Sequence, residues 1–446
     1  MASAVPVVIG VDVGTGSARA LAVDPDGRVL ARAAGPFPRR DRWAPGRATP
    51  SAWRSGLATA LRGLAAALPQ AGRPVALGLG SQSPTTVPVV HGDALTVRHP
   101  AGVTGSPLEQ HHAQRDVLRA EQGPDVQVAQ LWDWLNGELG GRTGIQSRWP
   151  GDPALDGYGD VVPTGHRVGE ADGTWGVPAG TPLAGGAQDA YLACWAAATV
   201  VPGRALDPGG RTGGLAVAVD AGRRPDGMYA MPSAVPGVDI VGGPVAAHGL
   251  MFEWLARTLG RDEAELLALA ATVPPGARGV TVLPFLEGER APRWRPELRA
   301  EVVGLGSDHG PAELARSVLE GTAYGLAHIA ADLADAGVGV DVMMCGGSPA
   351  RSELWCQIKA DVLGVPVEVP VETDLAAHGA ALAAGSVAGW WPAPAEGHAG
   401  DWPCLATRTL EPRPDPAYAE GYARFVALGD AAVARLPHPP DSRSDS

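Results

Sequence analysis

Apolar and polar residues are arranged along the chain in a pattern that predicts short buried strands separated by amphipathic helices. The first strand, residues 7–13, is an apolar run too short for a solitary helix, and it carries one carboxylate, Asp12, just before a turn of small residues. Apolar runs at 20–23 and 29–31 flank the strong turn sequence of residues 24–27. The pattern predicts a strand meander. A core strand with an ordinary hairpin is an equal alternative for this stretch alone.

Apolar residues recur at helical spacing in many later segments. The spacing predicts a helix over a sheet face at 53–68 and one helix at 126–135, with further helices at 190–198, 249–259, 263–271, 312–334, 352–363 and 378–384. Buried strands are predicted at 75–80 and 342–345. Such alternation of strands and helices is typical of an α/β fold.

A second copy of the first meander begins at residue 207. Residues 207–214 form a glycine-rich turn, residues 215–219 a strand, and two short strand-like runs follow near Met228 and Asp239. Two copies of strand, turn and hairpin predict two similar α/β domains that face each other across a cleft. Turns of glycine and hydroxyl residues expose backbone N–H groups to a phosphate, and a nearby carboxylate can hold Mg²⁺ through water.

Polar and glycine residues at the ends of predicted strands are candidates for ligand contact. Gln82 and Ser83 follow the strand at 75–80, where ligands bind in open α/β sheets, although a plain strand-ending turn explains them equally well. Asp189 ends a predicted turn and in isolation fits a helix cap. The Gly-Gly turn at 346–347 lets a planar ring or a ribose approach the backbone closely, because no Cβ obstructs it.

Histidine and cysteine spacing gives no strong indication of a metal site. The pair His111-His112 is interpreted as part of a surface helix rather than as two ligands, because no third ligand follows at metal-binding spacing. The four cysteines show no C-x-x-C pairing, so we expect reduced core residues rather than disulfides or a zinc site. They are Cys194, Cys345, Cys356 and Cys404.

Composition narrows the classes of protein that the chain can belong to. At 446 residues and 45.5 kDa it is long enough for two or three domains. A net charge of −13 argues against nucleic acid or an anionic membrane as the main partner, since both require a basic surface. The chain starts without a basic leader and lacks an apolar run of about 18 residues, so we expect a cytoplasmic protein. A basic loop with Arg39, Arg40 and Arg42 and a disordered tail at 437–446 are also expected.

These motifs, in this order, resemble the FGGY family of carbohydrate kinases, and among them the xylulokinases. Members of that family have two actin-like (ribonuclease H-like) domains and transfer the γ-phosphate of ATP to a hydroxyl group of a sugar or polyol. The similar segments are 12–19 (first phosphate motif), 186–189 with the helix after it (catalytic aspartate), 209–214 (second phosphate motif), 283–292 (Gly-Glu-Arg-x-Pro) and 346–367 (adenosine motif).

The resemblance implies a set of site residues, with ATP and Mg²⁺ as cofactors. Asp189 would be the catalytic base and would also contact the substrate beside Gln82 and Ser83, and Asp12 would hold the metal. The implied nucleotide-binding residues are Gly14, Thr15, Gly16, Ser17, Arg19, Gly210, Arg211, Thr212, Gly213, Gly346, Gly347, Ser348 and Ser352.

The same resemblance implies the domain division. An N-terminal kinase domain would span 1–182, with the sugar side and the first phosphate motif, and a C-terminal kinase domain would span 183–436. The expected partners are a small sugar or polyol and ATP, with no nucleic acid and no membrane. A homodimer is left open.

The sugar half of the site departs from the family pattern. Ser81-Gln82-Ser83-Pro84 stands where family members often carry Gly-Gln-Met-His, so the imidazole that would contact the sugar is missing. The Trp-x-Asp-x-Arg segment is absent from a shortened stretch after His99-Pro100. Arg211 occupies the place of an expected threonine. Two hypotheses follow: a carbohydrate kinase with weak, broad sugar selectivity, or a nucleotide-binding pseudokinase that senses or scaffolds.

Overall fold

The computed structural model describes residues 5–37, 46–68, 72–89, 93–96, 107–245 and 247–436. The elements of the first part are β1 (Val5–Val13), β2 (Ser17–Val23), β3 (Val29–Pro36), β4 (Arg47–Ala48), α1 (Pro50–Ala67), β5 (Gly72–Ser81), β6 (Thr85–Pro88), β7 (Ala94–Thr96), α2 (Pro107–Gln122), β8 (Val128–Gln130), α3 (Leu131–Glu138), β9 (Ile145–Arg148), β10 (Asp160–Pro163), β11 (Arg167–Glu170), β12 (Pro182–Gln188) and α4 (Asp189–Ala196).

The second part continues the alternation of strands and helices. Its elements are β13 (Arg204–Asp207), β14 (Gly214–Asp220), β15 (Tyr229–Pro232), β16 (Val238–Pro244), α5 (Gly249–Leu259), α6 (Glu263–Ala270), β17 (Thr281–Leu283), β18 (Glu301–Val303), α7 (Pro311–Asp335), β19 (Val342–Cys345), α8 (Glu353–Leu363), β20 (Val367–Pro370), α9 (Leu375–Val387), β21 (Thr407–Leu410) and α10 (Pro416–Ala434).

The first sheet has the strand order β11-β12-β5-β1-β2-β3. Strands β1, β2 and β3 pair antiparallel, which confirms the predicted meander. Strands β12, β5 and β1 are parallel, and their register sets Asp12 opposite Gly80 and Ser81 opposite Gln188. The carboxyl ends of these three strands therefore meet at one edge of the sheet.

Helices cover both faces of this sheet. On α1 the predicted apolar stripe is buried, including Trp53 and Leu57, which are fully inaccessible. Helix α9 packs on β1 and β5 so closely that a Cβ on Gly10 would lie 2.1 Å from the carbonyl oxygen of Ala377. A helix late in the chain thus completes the core of the first sheet, and β12 pairs with β5. The division at residues 182 and 183 stays a prediction.

The second sheet has the order β15-β16-β14-β13-β19-β20-β21. Strand β14 pairs antiparallel with both β13 and β16, so the meander is repeated, and the runs near Met228 and Asp239 are β15 and β16. Strands β13 and β19 are parallel, with Asp207 opposite Cys345. The two glycine-rich turns that follow these strands are therefore neighbours.

Several local predictions were wrong. Residues 126–130 are not helical: 128–130 form strand β8, which pairs with β6, and the helix begins at Leu131. Residues 185–188 belong to strand β12 rather than to a turn, because Ala187 and Gln188 pair with β5 beyond a register shift that spans the two glycines. His111 lies on a helix, as predicted, but only 2% of its surface is exposed.

The cysteine prediction holds for three of the four residues. Cys194, Cys345 and Cys356 are buried free thiols, whereas Cys404 is exposed. Within the described residues no helix is long and apolar enough to cross a membrane. The expectations for Arg39, Arg40 and Arg42, for the segment from His99 to residue 106, and for the tail at 437–446 lie outside the described residues.

Candidate active site

Asp12 and Asp189 come together at the carboxyl edge of the first sheet. Asp12 is the penultimate residue of β1, and Asp189 follows β12 directly as the first residue of α4. Burial, and after it the nearby charge of Asp189, raises the pKa of Asp12 to about 8. Burial raises the pKa of Asp189 to about 6, although its Oδ1 accepts a 2.8 Å hydrogen bond from the amide of Ala190. Two partly desolvated carboxylates thus share one region.

The first predicted phosphate turn lies directly beside Asp12. A Cβ on Gly14 would lie 3.6 Å from Oδ2 of Asp12, and the amide of Gly14 donates to the carbonyl of Ser17 at 3.2 Å. Thr15 and Gly16, at the tip of the turn, are exposed. Oδ1 of Asp12 is buried and accepts no hydrogen bond. A carboxylate with an unused oxygen, beside a second carboxylate, is a donor set that suits a hard divalent cation.

Arg19 connects the first phosphate turn to the C-terminal half of the chain. Its guanidinium lies 3.2 Å from the carboxylate of Asp374, and both charges act on the pKa of Asp12, which Arg19 lowers and Asp374 raises. The residue before Asp374, Thr373, accepts a 2.9 Å hydrogen bond from the amide of Gly347. The predicted first phosphate motif is therefore connected to the predicted adenosine motif through two adjacent residues, Thr373 and Asp374.

The second phosphate turn and the adenosine turn pack backbone against backbone. The amide of Gly346 donates to the carbonyl of Asp207 at 2.8 Å, and a Cβ on Gly209 would lie 2.1 Å from the carbonyl oxygen of Gly346. Gly347 has φ +64°, and a Cβ there would lie 2.6 Å from the amide nitrogen of Gly210. The contact between the turns leaves no room for a Cβ at residue 347. Glycine is therefore required there for packing, whether or not a nucleotide ring approaches the same backbone.

The other predicted nucleotide residues of this half surround the two turns. Arg211 is exposed and pairs with Glu253 on α5, and Thr212 next to it is partly buried. Gly213 lies over the ring of a buried histidine, and Ser348 is exposed. Ser352 caps helix α8, because its hydroxyl accepts a 3.3 Å hydrogen bond from the amide of Trp355. That capping role was not predicted.

A buried ion pair beneath the two turns was missed by the sequence analysis. Nζ of Lys359 lies 2.6 Å from Oδ2 of Asp207, and both side chains are fully buried. Oδ1 of Asp207 accepts a 2.9 Å hydrogen bond from the amide of Gly209. His248 stacks on Trp355 with ring centroids 5.2 Å apart. One signal was available, because Lys359 is the single lysine of the chain.

The charges of this pair stabilise each other. Burial is the largest influence and acts to raise the pKa of Asp207. The charges of Lys359 and His248, with the hydrogen bonds from Lys359 and Gly209, together outweigh burial, so the pKa is lowered. Burial acts to lower the pKa of Lys359, and Asp207 with the neighbouring thiols raises it above its usual value. Burial lowers the pKa of His248 to about 3, so its ring is neutral at pH 7. The pair is therefore ionised beneath the turns.

Gln82 and Ser83 lie at the same sheet edge as Asp12. The amide of Gln82 donates to the carbonyl of Val13 at 3.0 Å, and its side-chain amide lies 3.5 Å from Oγ1 of Thr85. Oγ of Ser83 lies 3.3 Å from Nε2 of His111. An imidazole from helix α2 thus lies beside the position where the sequence lacks one, and no local pattern indicated it.

Comparison with known proteins identifies sequences and structures that this chain resembles. Residues 225–388 match the model of the C-terminal domain of the FGGY family of carbohydrate kinases. A curated glycerol kinase from Mycobacterium tuberculosis is 32% identical over 262 residues, which cover 56% of this chain and 48% of that protein. The chain therefore spans about half the length of the curated relatives it matches.

Solved structures resemble nearly the whole chain. A xylulose kinase from Rhodospirillum rubrum superposes with a TM-score of 0.74 and 25% identity, covering 96% of this chain and 99% of that one. A Plasmodium falciparum glycerol kinase with ADP superposes with a TM-score of 0.72 at 15% identity, covering 97% and 98%, a likeness that shows the fold alone. The described residues therefore have the two-domain, actin-like α/β fold. The match of residues 225–388 to the C-terminal domain supports the FGGY family of carbohydrate kinases.

Proposed function

We propose that the protein is an ATP-dependent carbohydrate kinase that phosphorylates a hydroxyl group of a sugar or polyol. The observation that carries the proposal is the convergence of Asp12 and Asp189 at the ends of β1 and β12, which both pair with β5. The turn after Asp12 leads to Arg19, which pairs with Asp374. A protein that only bound nucleotide would not require a second, partly desolvated carboxylate at this place.

Asp189 is the proposed general base. A pKa raised to about 6 by burial leaves it ionised at pH 7.5, and it is more basic than an ordinary aspartate. Proton transfer is most effective when the pKa of the base lies near the working pH. The carboxylate would accept the proton of the attacking substrate hydroxyl, while Gln82 and Ser83 at the same edge would orient that hydroxyl.

Asp12 fits the role of holding Mg²⁺ through water. Its Oδ1 is buried without a hydrogen-bond partner, and burial first, then the charge of Asp189, raises its pKa to about 8. When bound, the metal would neutralise charge on the phosphate groups. Asp12 would hold the metal through water with its free oxygen.

The two glycine-rich turns are the proposed nucleotide site. The turn from Gly210 to Gly213 and the turn at Gly346 and Gly347 pack together and reach the first phosphate turn through Asp374. Arg211 pairs with Glu253 at the surface, and exposed pairs are worth only about 0–1 kcal/mol, so its guanidinium can exchange this partner for a phosphate. The segments 1–182 and 183–436 would close around ATP and the sugar.

ADP formation with a panel of ketoses, aldoses and polyols tests the proposal. We expect turnover with at least one compound, and we expect Asp189→Asn to lower kcat by about 10²–10⁴-fold with unchanged ATP affinity. Asp220→Asn, at an exposed carboxylate, is the control. ATP binding without turnover on every compound would instead support the pseudokinase.

A further inference from the structure

Six polar side chains form a continuous chain of contacts on the substrate side, which we call the polar wall. Its members come from five separate segments. The successive contacts are Ser83 Oγ to His111 Nε2 at 3.3 Å, His111 Nε2 to Gln130 Nε2 at 3.5 Å, Gln130 Oε1 to Arg148 at 3.3 Å, Arg148 to Asp152 Oδ2 at 3.4 Å, and Asp152 Oδ1 to the hydroxyl of Tyr191 at 2.7 Å.

The polar wall spans the strand ends that carry the proposed catalytic groups. It begins at Ser83, just after β5, and it ends at Tyr191, in the first turn of the helix that begins with Asp189. Its centre is connected to β12, the strand that precedes Asp189. The amide of Thr164 donates to the carbonyl of Arg148, and the hydroxyl of Thr164 donates to the carbonyl of Gly186 in β12 at 2.9 Å. The wall therefore lies at the edge where substrate must meet Asp189.

Hydrogen-bond directions leave acceptors available at one end of the polar wall. Burial lowers the pKa of His111 to about 3, so its ring is neutral. The hydroxyl of Thr86 donates to Gln114, so it accepts from Nδ1 of His111, which lies 3.2 Å away. Nε2 of His111 then accepts the proton of Ser83. The lone pairs of Ser83 Oγ can accept a hydrogen bond from a substrate hydroxyl.

The centre of the polar wall is a largely buried ion pair. Arg148 is 9% exposed and lies against Asp152, so the positive and negative charges of the wall cancel. Nε of Arg148 is buried and makes no hydrogen bond. A guanidinium donor beside a carboxylate acceptor matches the donor and acceptor pattern of neighbouring hydroxyl groups on a neutral sugar.

We propose that the polar wall selects a neutral polyhydroxy substrate, a sugar or polyol, against sugar acids, with Arg148 and Asp152 as the specificity-determining residues. A carboxylate on the substrate would meet Asp189 and Asp12, while the cation of the wall is already neutralised by Asp152. The inference rests on the proposed kinase function and adds the discrimination against sugar acids and the two residues responsible for it.

Matched substrate pairs test the inference, because each pair differs only in a terminal group. The pairs are sorbitol with gluconate and xylitol with xylonate. We expect the parent protein to favour the neutral member by about 10-fold or more in kcat/KM. Asp152→Asn removes the negative charge and leaves Arg148 uncompensated. The ratio of kcat/KM for the neutral member to that for the acid should therefore fall by about 10-fold, mainly because KM for the acid falls.

Two further variants separate specificity from a merely structural effect. Arg148→Met should raise KM for the neutral member by about 10-fold and should not raise kcat/KM for the acid member. Arg142→Met, at an exposed position before the same strand, and Asp156→Asn, at an exposed carboxylate four residues after Asp152, should leave the ratio unchanged.

The outcomes distinguish this inference from the proposed function. Turnover with a preference for the acids in the parent, or with an unchanged ratio in Asp152→Asn, overturns the inference and leaves the kinase function standing. Absence of turnover on every compound overturns the kinase function. Calorimetric binding of the same pairs then decides the inference: a neutral preference that Asp152→Asn reverses supports it, and equal affinity for both members overturns it.

Discussion

Removing the ammonium of Lys359 is expected to destabilise the C-terminal half strongly. Lys359 and Asp207 are fully buried with Nζ and Oδ2 2.6 Å apart, so Lys359→Met leaves a carboxylate in a desolvated place. Breaking a buried pair in this way costs about 3–5 kcal/mol. Methionine has nearly the shape of lysine, and Asp207 keeps its hydrogen bond from the amide of Gly209. We therefore expect the lower end, about 3 kcal/mol.

Equilibrium unfolding in urea, followed by tryptophan fluorescence, measures this loss. The double variant Asp207→Asn with Lys359→Met removes both charges and keeps an acceptor for Gly209, so its unfolding free energy should return to within about 1 kcal/mol of the parent. The pH gives a second check. The folded-state pKa of Asp207 is lowered, so the pair stabilises the fold above the unfolded pKa of an aspartate and loses this effect as pH falls through the folded value. The gap between parent and Lys359→Met should narrow in acid.

Two results would refute this reasoning. One is a loss under about 1 kcal/mol in Lys359→Met, and the other is a double variant as unstable as the sum of its single changes. Arg351→Met is the matched control, because it removes an exposed cation beside the same helix. The KM for ATP should rise in Lys359→Met, since Asp207 contacts both glycine-rich turns, and should be unchanged in the control.

Three other expectations follow from the site. Because the pKa of Asp189 is raised to about 6, kcat/KM should fall tenfold per pH unit below that value and level off above it; a flat profile from pH 5 to 8 would contradict the assigned base. Gly347→Ala should lower both melting temperature and ATP affinity much more than Gly364→Ala, because the two glycines have φ of +64° and +69° but only Gly347 would place a Cβ against another backbone; equal effects in thermal-shift titrations would disprove the turn contact. Asp12→Asn should abolish turnover yet raise the melting temperature of the nucleotide-free protein at pH 8 and not at pH 4, because the raised pKa means that ionisation of Asp12 costs stability as pH rises toward 8.

Local pattern was sufficient for elements that bury one clear face. The strand with Asp12, the meander after it and helices such as α5 follow from apolar runs and spacing, and the predicted helix at 249–259 has those bounds. The failures occurred where pairing between distant segments decides the structure. Strand β8 is three residues long, and only its pairing with β6 distinguishes it from the start of a helix. In β12, likewise, pairing with β5 resumes at Ala187 after the register shift at the Gly-Gly sequence, so the strand continues past it.

The candidate nucleotide residues could be proposed from the sequence because they lie in short contiguous motifs, and two of the turns that carry them pack together in the structure. The polar wall could not be proposed in this way, since it joins residues that are far apart in the sequence. His111 shows the limit: its neighbours along the helix are polar, and its burial depends on Ser83 and Thr86, more than twenty residues away. Lys359 and Asp207 are 152 positions apart, so no window of sequence could pair them.

A chain with a single lysine also carries a single side-chain amine. All its other basic side chains, histidine apart, are guanidinium groups, and Lys359 is sealed beneath the two glycine-rich turns. Acylating reagents that modify lysine can therefore reach that side chain only when the turns separate. The rate of acylation at Lys359, measured by mass spectrometry, would report how often the two turns separate, and ATP should slow it if the turns bind nucleotide as proposed. One lysine thus gives a chemical probe of motion at the candidate nucleotide site.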